Sequence, residues 1–201
     1  IIYKKLKNED RVEITMTEQE NQTFIYRIDS DNKITYVSSN WNMFAHENGT
    51  PELCEANVKG QPLLDFFSGM EVKHLYKIMF DKIRNTKQSI EFPFRCDSPK
   101  VRRYMHMKML CIDPKAIECE TRILLEELRT EVELLNVDIK CGEGFIIMCA
   151  WCKCVKTPGG WKEVEDAIKE MKLFEQPEYP MITHGICGKC LREVKKGLGT
   201  L

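Results

Sequence analysis

The stretch Phe24-Ile-Tyr-Arg-Ile-Asp29 is joined by Ser30-Asp31-Asn32 to a second stretch, Lys33-Ile-Thr-Tyr-Val-Ser38. Both flanking stretches are rich in β-branched and aromatic residues, which favour strands. The three residues between them are turn formers, so the sequence predicts a β-hairpin. From residue 40 to residue 61 the chain is polar and interrupted by Gly and Pro, which indicates short helices and loops.

The next regular pattern is helical. Ser68 and Glu71 have the spacing of a capping box at a helix N-terminus. Behind them, apolar residues recur at helical spacing and form one stripe, made of Val72, Leu75, Tyr76, Met79 and Ile83. We expect this helix to run to about Thr86. His74 falls on its solvent side, which argues against a haem ligand at this position.

Three segments with apolar residues at every second position follow the helix, and they predict three strands. Arg95 falls on the predicted solvent side of the first strand. Pro93 marks a sheet edge or a bulge, because proline has no N–H to donate to a ladder. From residue 124 to residue 137 the pattern is ambiguous, since it also suits a helix. The predicted buried positions are Ile90, Phe92, Phe94 and Cys96, then Met105, Met107, Met109 and Cys111, then Ile117, Cys119, Thr121 and Ile123.

The methionine-rich second strand has two interpretations. Met105, Met107 and Met109 are flexible and polarisable side chains that could line an adaptable pocket. They could equally be ordinary packed core. A small apolar or aromatic ligand is therefore a hypothesis at this stage, and its identity is unknown.

The C-terminal part carries two Cys-x-x-Cys pairs, Cys149/Cys152 and Cys187/Cys190, with 34 residues between the pairs. Two residues between thiols let both sulfurs reach one tetrahedral ion, and two such pairs complete a four-thiolate site. We expect a structural zinc ion here. An iron–sulfur cluster and a redox-active cysteine pair remain alternatives. Covalent haem is disfavoured, because neither pair is followed directly by His.

Two neighbouring residues could change the ligand set. Cys154 could replace a ligand or act as a spare reactive thiol, although a small strand residue is the simpler interpretation. His184 could replace one thiolate. We expect instead that it orients one of the cysteine ligands without binding the metal itself. A strand at 145–148 is predicted directly before the first pair, and a helix beginning near Trp161 is predicted between the pairs. A short helix follows the second pair at 191–196. So small a module would rely on its metal for stability.

The order of hairpin, short helices, long helix and three strands resembles that of PAS domains. The segment Tyr26-x-Ile-Asp-x-x-x-x-Ile-x-Tyr-Val-Ser38 with Trp41 looks like the opening of such a domain, and Gly60-Gln-Pro-Leu-Leu-Asp-Phe66 precedes the helix as in that family. Phe94-Arg-Cys-Asp-Ser-Pro99 and Arg102-Arg103 are similar to a bacterial group of PAS-like proteins. Members of that group end in a Cys-x-Trp-Cys-Lys and Thr-His-Gly-Ile-Cys-x-x-Cys module like the one here.

This resemblance implies an α+β protein, with a PAS-like antiparallel sheet, flanking helices and a small treble-clef-like zinc module. It places the PAS-like domain at 1–140, with its core at about 22–126, and the zinc module at 141–201. It also implies sensing or signalling, through a homodimer or a partner signalling protein. We expect no enzymatic activity, because the sequence has no phosphate loop, no HExxH and no serine elbow.

Charge and cysteine usage limit the partners and the compartment. The formal net charge is −1, and residues 141–201 hold nine Lys and Arg against eight Asp and Glu, so no basic surface for nucleic acid is expected. No apolar run is long enough to span a membrane. The ten cysteines fit a reducing cytoplasm. We expect a cytoplasmic sensor or interaction module, with a redox or metal sensor as the alternative and nucleic-acid binding ranked below both.

Overall fold

The computed structural model describes residues 23–112, 114–136, 138–175 and 178–199. Its strands are β1 (Thr23–Ile28), β2 (Ile34–Val37), β3 (Ile90–Arg95), β4 (Val101–Cys111), β5 (Ile117–Leu128), β6 (Cys141–Cys149), β7 (Val155–Thr157), β8 (Gly160–Lys162) and β9 (Tyr179–Gly185). Its α-helices are α1 (Trp41–Glu47), α2 (Glu55–Val58), α3 (Met70–Thr86), α4 (Val164–Glu170) and α5 (Gly188–Gly197). Short 3-10 turns cover Pro51–Leu53, Leu63–Phe66, Glu133–Leu135 and Leu173–Glu175. None of the helices in these ranges is long and apolar enough to cross a membrane.

The first sheet is antiparallel and has the strand order β2-β1-β5-β4-β3. The predicted hairpin is confirmed. The carboxylate of Asp29 accepts hydrogen bonds from the main-chain N–H groups of Asp31 and Lys33, at 2.9 Å each, and so closes the turn. The predicted edge position of Pro93 is also confirmed, because it lies in β3 at the outer end of the sheet.

The segment after the third predicted strand is a continuation of that strand. β5 runs on to Leu128 and pairs with β4 over its whole length, so the helical alternative for this stretch is wrong up to that residue. A bulge at Leu124 shifts the register between Tyr104 and Met105. Leu124 and Leu128 are exposed, so their helix-like spacing does not correspond to a buried helix face.

One face of the first sheet is covered by helices. The apolar stripe of α3 is buried as predicted except for Tyr76, which is half-buried. The stripe packs against inward residues of the central strands, including Ile28, Met109 and Cys119. Met107 and Met109 belong to this packed core. Met105 is equally buried but lies against a cavity, which is described below. His74 is exposed, as expected.

The predicted capping box does not form. α3 begins at Met70, its N-cap residue is Gly69 in a left-handed conformation with φ of 88°, and no side chain caps the helix. The Ser68 hydroxyl bonds instead to Nδ1 of His184 in β9. A long-range partner has therefore replaced the local one that the sequence pattern suggested.

The second sheet is mixed, with the order β8-β7-β6-β9. β6 pairs antiparallel with β7 and parallel with β9, and α4 lies in the connection between β8 and β9. Trp161 lies in β8 and not at the start of a helix, which corrects the prediction; α4 begins three residues later. A second core fills this region, made of Val132, Leu134, Ile146, Met148, Val155, Val164, Ala167, Ile168 and Leu173. The division of the chain at residue 140 stays a prediction.

Candidate metal centre

The four paired cysteines come from two places that the second sheet brings together. Cys149 is the last residue of β6, and Cys152 lies in the tight turn that follows. Cys187 is the N-cap of α5, and Cys190 lies in the first turn of that helix. β6 and β9 are parallel neighbours, so their C-terminal ends, where the two Cys-x-x-Cys pairs begin, meet at the same edge of the sheet.

The distances between the sulfurs suit one metal ion. The four Sγ atoms all lie within 4.8 Å of one another, and Sγ of Cys152 is 3.7 Å from Sγ of Cys187. Thiolates at about 2.3 Å from a tetrahedral ion are separated by about 3.8 Å. All ten cysteines lie in the described part of the chain, and all are free thiols. The group can therefore hold a metal ion with four sulfur ligands.

The surrounding backbone favours thiolates at this position. The main-chain N–H of Cys187 donates to Sγ of Cys149, and that of Cys190 donates to Sγ of Cys187, each at 3.4 Å. The positive end of the α5 dipole adds to this stabilisation. A left-handed residue, Lys153 with φ of 60°, turns the chain so that its N–H bonds back to the carbonyl of Cys149 at 3.0 Å.

The electrostatics of the four paired cysteines favour a bound cation. A hydrogen bond from Cys149 is the largest of several that hold the pKa of the Cys152 thiol far below its usual range. Hydrogen bonds with Cys149 first and then with Cys152 raise the pKa of the Cys190 thiol. Four thiols this close cannot all ionise while only protein groups surround them, whereas a divalent ion at the centre would stabilise all four as thiolates.

Trp151 anchors this centre to the first sheet. Its side chain is 4% exposed and packs against Tyr76 of α3 and Phe92 of β3, with ring centroids 5.8 Å away in both cases. Its main-chain carbonyl accepts a hydrogen bond of 2.7 Å from the N–H of Arg95. Cys149 and Cys187 belong to the same core cluster as the first sheet. The four cysteines of the candidate metal centre and the first sheet thus share one hydrophobic core.

Cys154 lies outside the group of four sulfurs. Its Sγ is 3.8 Å from a carboxylate oxygen of Glu163, the residue that precedes α4. The side chain of Cys152, followed by burial, raises the pKa of the Cys154 thiol. A fifth thiol therefore stands beside the four, and its protonated form is favoured.

His184 also lies outside the group, and it holds two elements together. Its ring bonds to Ser68, and its pKa is lowered to about 4, first by desolvation and then by the charge of Lys153. A Cβ added at Gly69 would stand 1.9 Å from the main-chain oxygen of His184. The start of α3 is thus in close contact with β9, three residues before the second cysteine pair. Sequence reasoning missed this contact, because Ser68 and Gly69 are 116 and 115 residues from His184.

The buried position of Arg95 corrects the solvent side predicted for it. Arg95 is 6% exposed, and its guanidinium donates to Asp97 at 3.1 Å and to Glu163 at 2.8 Å. Arg129 donates to the same Asp97 carboxylate at 2.9 Å, and the Asp97 side chain is only 1% exposed. The resemblance had already singled out the segment at 94–99, but no role for its charged residues was apparent from the sequence.

Comparison with known proteins gives no family for this chain: no family model matches it, and no curated protein matches it. Among solved structures, the chain is weakly similar to the sensor region of a sensor histidine kinase, with 16% sequence identity and a TM-score of 0.32. The similarity covers 52% of this chain and 38% of that one. A TM-score this low carries no argument about fold or function.

Proposed function

We propose that this chain is a non-enzymatic sensory or protein-interaction module, in which a PAS-like sheet is joined to a C-terminal module held by structural zinc. The single observation that carries the proposal is the packing of Trp151. This residue lies between two candidate ligands, Cys149 and Cys152, and its indole is buried in the core of the first sheet. A metal held there would stabilise the sheet as well as the C-terminal module.

The ligand set supports zinc in a structural role. Four cysteines fill a tetrahedral site and leave no position for water or substrate, which is typical of structural and not of catalytic zinc. Cys149 and Cys187 are buried, and Cys152 and Cys190 are half-buried. An iron–sulfur cluster would also accept four thiolates, and elemental analysis distinguishes the two.

The PAS-like and treble-clef-like descriptions are part of the proposal. A five-stranded antiparallel sheet with helices inserted between its second and third strands supports the first. A cysteine pair after a strand, combined with a second pair on the first turn of α5, supports the second. Action in the cytoplasm, through a homodimer or a partner signalling protein, follows from the resemblance and from the number of free thiols. Sedimentation of the purified chain would test the homodimer.

Elemental analysis of the purified full chain tests the metal centre. We expect one zinc ion per chain, lost in Cys149→Ser and in Cys190→Ser. Cys141→Ser is the matched control, because Cys141 is exposed and lies outside the group of four sulfurs, and Cys154→Ser should likewise retain zinc. Iron in place of zinc, or full zinc loading of Cys149→Ser, would contradict the proposed site.

A redox sensor is the second candidate, and the position of Cys154 favours it. A spare thiol next to a zinc ligand can form a disulfide with that ligand after peroxide has oxidised one of them to a sulfenic acid, with release of water and of the metal. Zinc release by peroxide at a dose that leaves the fold intact, and its suppression in Cys154→Ser, would support this function. Zinc that stays bound until global unfolding would exclude it.

A further inference from the structure

A cavity of about 680 Å³ lies beside the first sheet and contains none of the four cysteines of the metal centre. Its size is within the range of small-molecule sites, which extends from about 300 to about 1,000 Å³. The inner face of the sheet, α1, the connection between β3 and β4, and the segment after β5 line it, and it is open to solvent. The long helix α3 contributes no lining residue within the described ranges.

The inner wall of the cavity is aromatic. Its ring-bearing residues are Phe24, Tyr26, Trp41, Phe44 and Phe94. The rings of Phe24 and Phe44 are tilted by 41° with centroids 4.2 Å apart, and the rings of Tyr26 and Trp41 meet edge to face at 6.0 Å. These contacts hold the rings in place. The faces of the rings are therefore the main surface of the wall that a ligand would contact.

The polar atoms of this wall are already used within the protein. The Trp41 indole N–H donates to the carbonyl of Leu53 at 2.7 Å, and the Thr121 hydroxyl donates to the sulfur of Met107 at 3.4 Å. A ligand that reaches the wall would therefore meet ring faces and methyl groups and few free hydrogen-bond donors. Such a wall favours an apolar or aromatic body.

The charged lining residues leave an excess of negative charge. They are Glu47, Asp97, Glu131 and Asp138 against Lys100. Asp97 is bound by Arg95 and Arg129, and Lys100 pairs with Glu131 at 3.4 Å. Glu47 and Asp138 have no ion-pair partner in the described ranges, and both are exposed. The side of the cavity nearest to water thus offers two free carboxylates.

We infer that this cavity binds a small organic cation with an aromatic or aliphatic body. The body lies against the rings, and the ammonium group faces Glu47 and Asp138. Aromatic faces attract cations as well as apolar groups, and the two carboxylates add Coulomb attraction. An anion would meet two like charges, and the lining offers no unpaired cation among its described residues. This inference goes beyond the proposed function, since it gives the class of molecule that the module detects.

Calorimetric titration of the metal-loaded full chain tests this. The probes are tryptamine, its anionic counterpart indole-3-propionate, and neutral indole. We expect tryptamine to bind more tightly than indole-3-propionate. We also expect the affinity for tryptamine to fall as the salt concentration rises. The double variant Glu47→Gln/Asp138→Asn should lower the affinity for tryptamine by about threefold to tenfold and leave the affinity for indole unchanged. Both residues are exposed, so this variant should fold.

The matched control is Asp81→Asn/Glu143→Gln, which removes two exposed carboxylates that do not line the cavity. It should bind tryptamine like the unmodified chain. Equal or tighter binding of indole-3-propionate, equal weakening by the control, or no binding of tryptamine at about 1 mM would overturn the inference. The zinc content of the same sample separates the two proposals. If the zinc-loaded chain does not bind tryptamine, only the proposal of a cation-binding cavity is contradicted. If the purified chain contains no metal but binds tryptamine, only the proposal of a zinc site is contradicted.

Discussion

The main-chain N–H of Arg95 donates a hydrogen bond of 2.7 Å to the carbonyl of Trp151. Arg95 is the last residue of edge strand β3, and Trp151 lies between the first two cysteines of the metal centre. The Arg95 side chain continues this link, because it donates to Glu163 at the start of α4. The backbone and the side chain of one residue thus connect the first sheet to two parts of the C-terminal module.

Replacing Arg95 should be one of the most damaging charge changes in the chain. Arg95→Met leaves Asp97 bound only by Arg129, in a position where its side chain is 1% exposed. Removing one partner costs about 3 to 5 kcal/mol of unfolding free energy when the other buried charge is left unpaired. Because Arg129 still binds Asp97, we expect a loss at the lower end of this range, about 3 kcal/mol. Denaturant unfolding measures the loss.

The matched control for Arg95 is Arg122→Met. Arg122 pairs with Glu120, but its side chain is 51% exposed, so its removal should cost less than about 1 kcal/mol. Equal losses in the two variants would show that the buried network at Arg95 has no special importance for stability.

Gly69 and Gly60 separate the effect of close packing from that of backbone conformation. Both have left-handed φ values, 88° and 84°. A Cβ at Gly69 would stand 1.9 Å from the oxygen of His184, whereas nothing lies within 4 Å of the corresponding position at Gly60. Gly60→Ala should cost about 1 to 2 kcal/mol for the left-handed conformation alone, and Gly69→Ala clearly more.

Thermal or denaturant unfolding of the two alanine variants provides the comparison. Because the steric clash involves main-chain atoms, Gly69→Ala must move α3 away from β9. If Gly69→Ala were as stable as Gly60→Ala, the contact between the start of α3 and β9 would be loose and not the tight approach described above.

Cysteine reactivity should follow burial. Cys119 is fully buried, and desolvation is the main cause that raises the pKa of its thiol to about 12. Cys141 is exposed. At pH 8 we expect iodoacetamide to label Cys141 promptly and Cys119 only after unfolding, since the thiolate is the reactive form. Mass spectrometry of the labelled protein identifies the sites. Labelling of Cys119 in the folded chain would show that the core opens on the time scale of the reaction.

Local patterns in the sequence predicted the elements that depend on neighbouring residues. Alternation predicted β3 and β4, the apolar stripe predicted the body of α3, and the two-residue spacing of the cysteines predicted a group whose sulfurs lie within 4.8 Å of one another. In each element, and within each cysteine pair, the decisive residues are close together in the chain, so their relation is visible without the fold. That the two pairs meet was predicted from ligand number, because one pair alone leaves a tetrahedral site half filled.

Two of the wrong predictions, those for Arg95 and Ser68, concern residues with partners that are distant in sequence. Alternation predicted that Arg95 faces water. In the fold its guanidinium binds Glu163, 68 residues later, and this ion pair offsets part of the cost of burying the charge. The capping pattern assigned the Ser68 hydroxyl to its own helix, yet in the folded chain this hydroxyl bonds to His184, which lies 116 residues later. The cavity could not be predicted either, because residues on α1, on the strands and after β5 line it together.

Hydrogen exchange with and without the metal tests the central claim most directly, namely that the metal centre and the first sheet form one core. The loaded chain is compared with the same chain after chelation. We expect amides in α3 and β3 to lose protection along with those in α5, because Trp151 packs against Tyr76 and Phe92. Loss of protection in residues 141–199 alone, with α3 and β3 unchanged, would contradict the claim and show that the two parts fold independently.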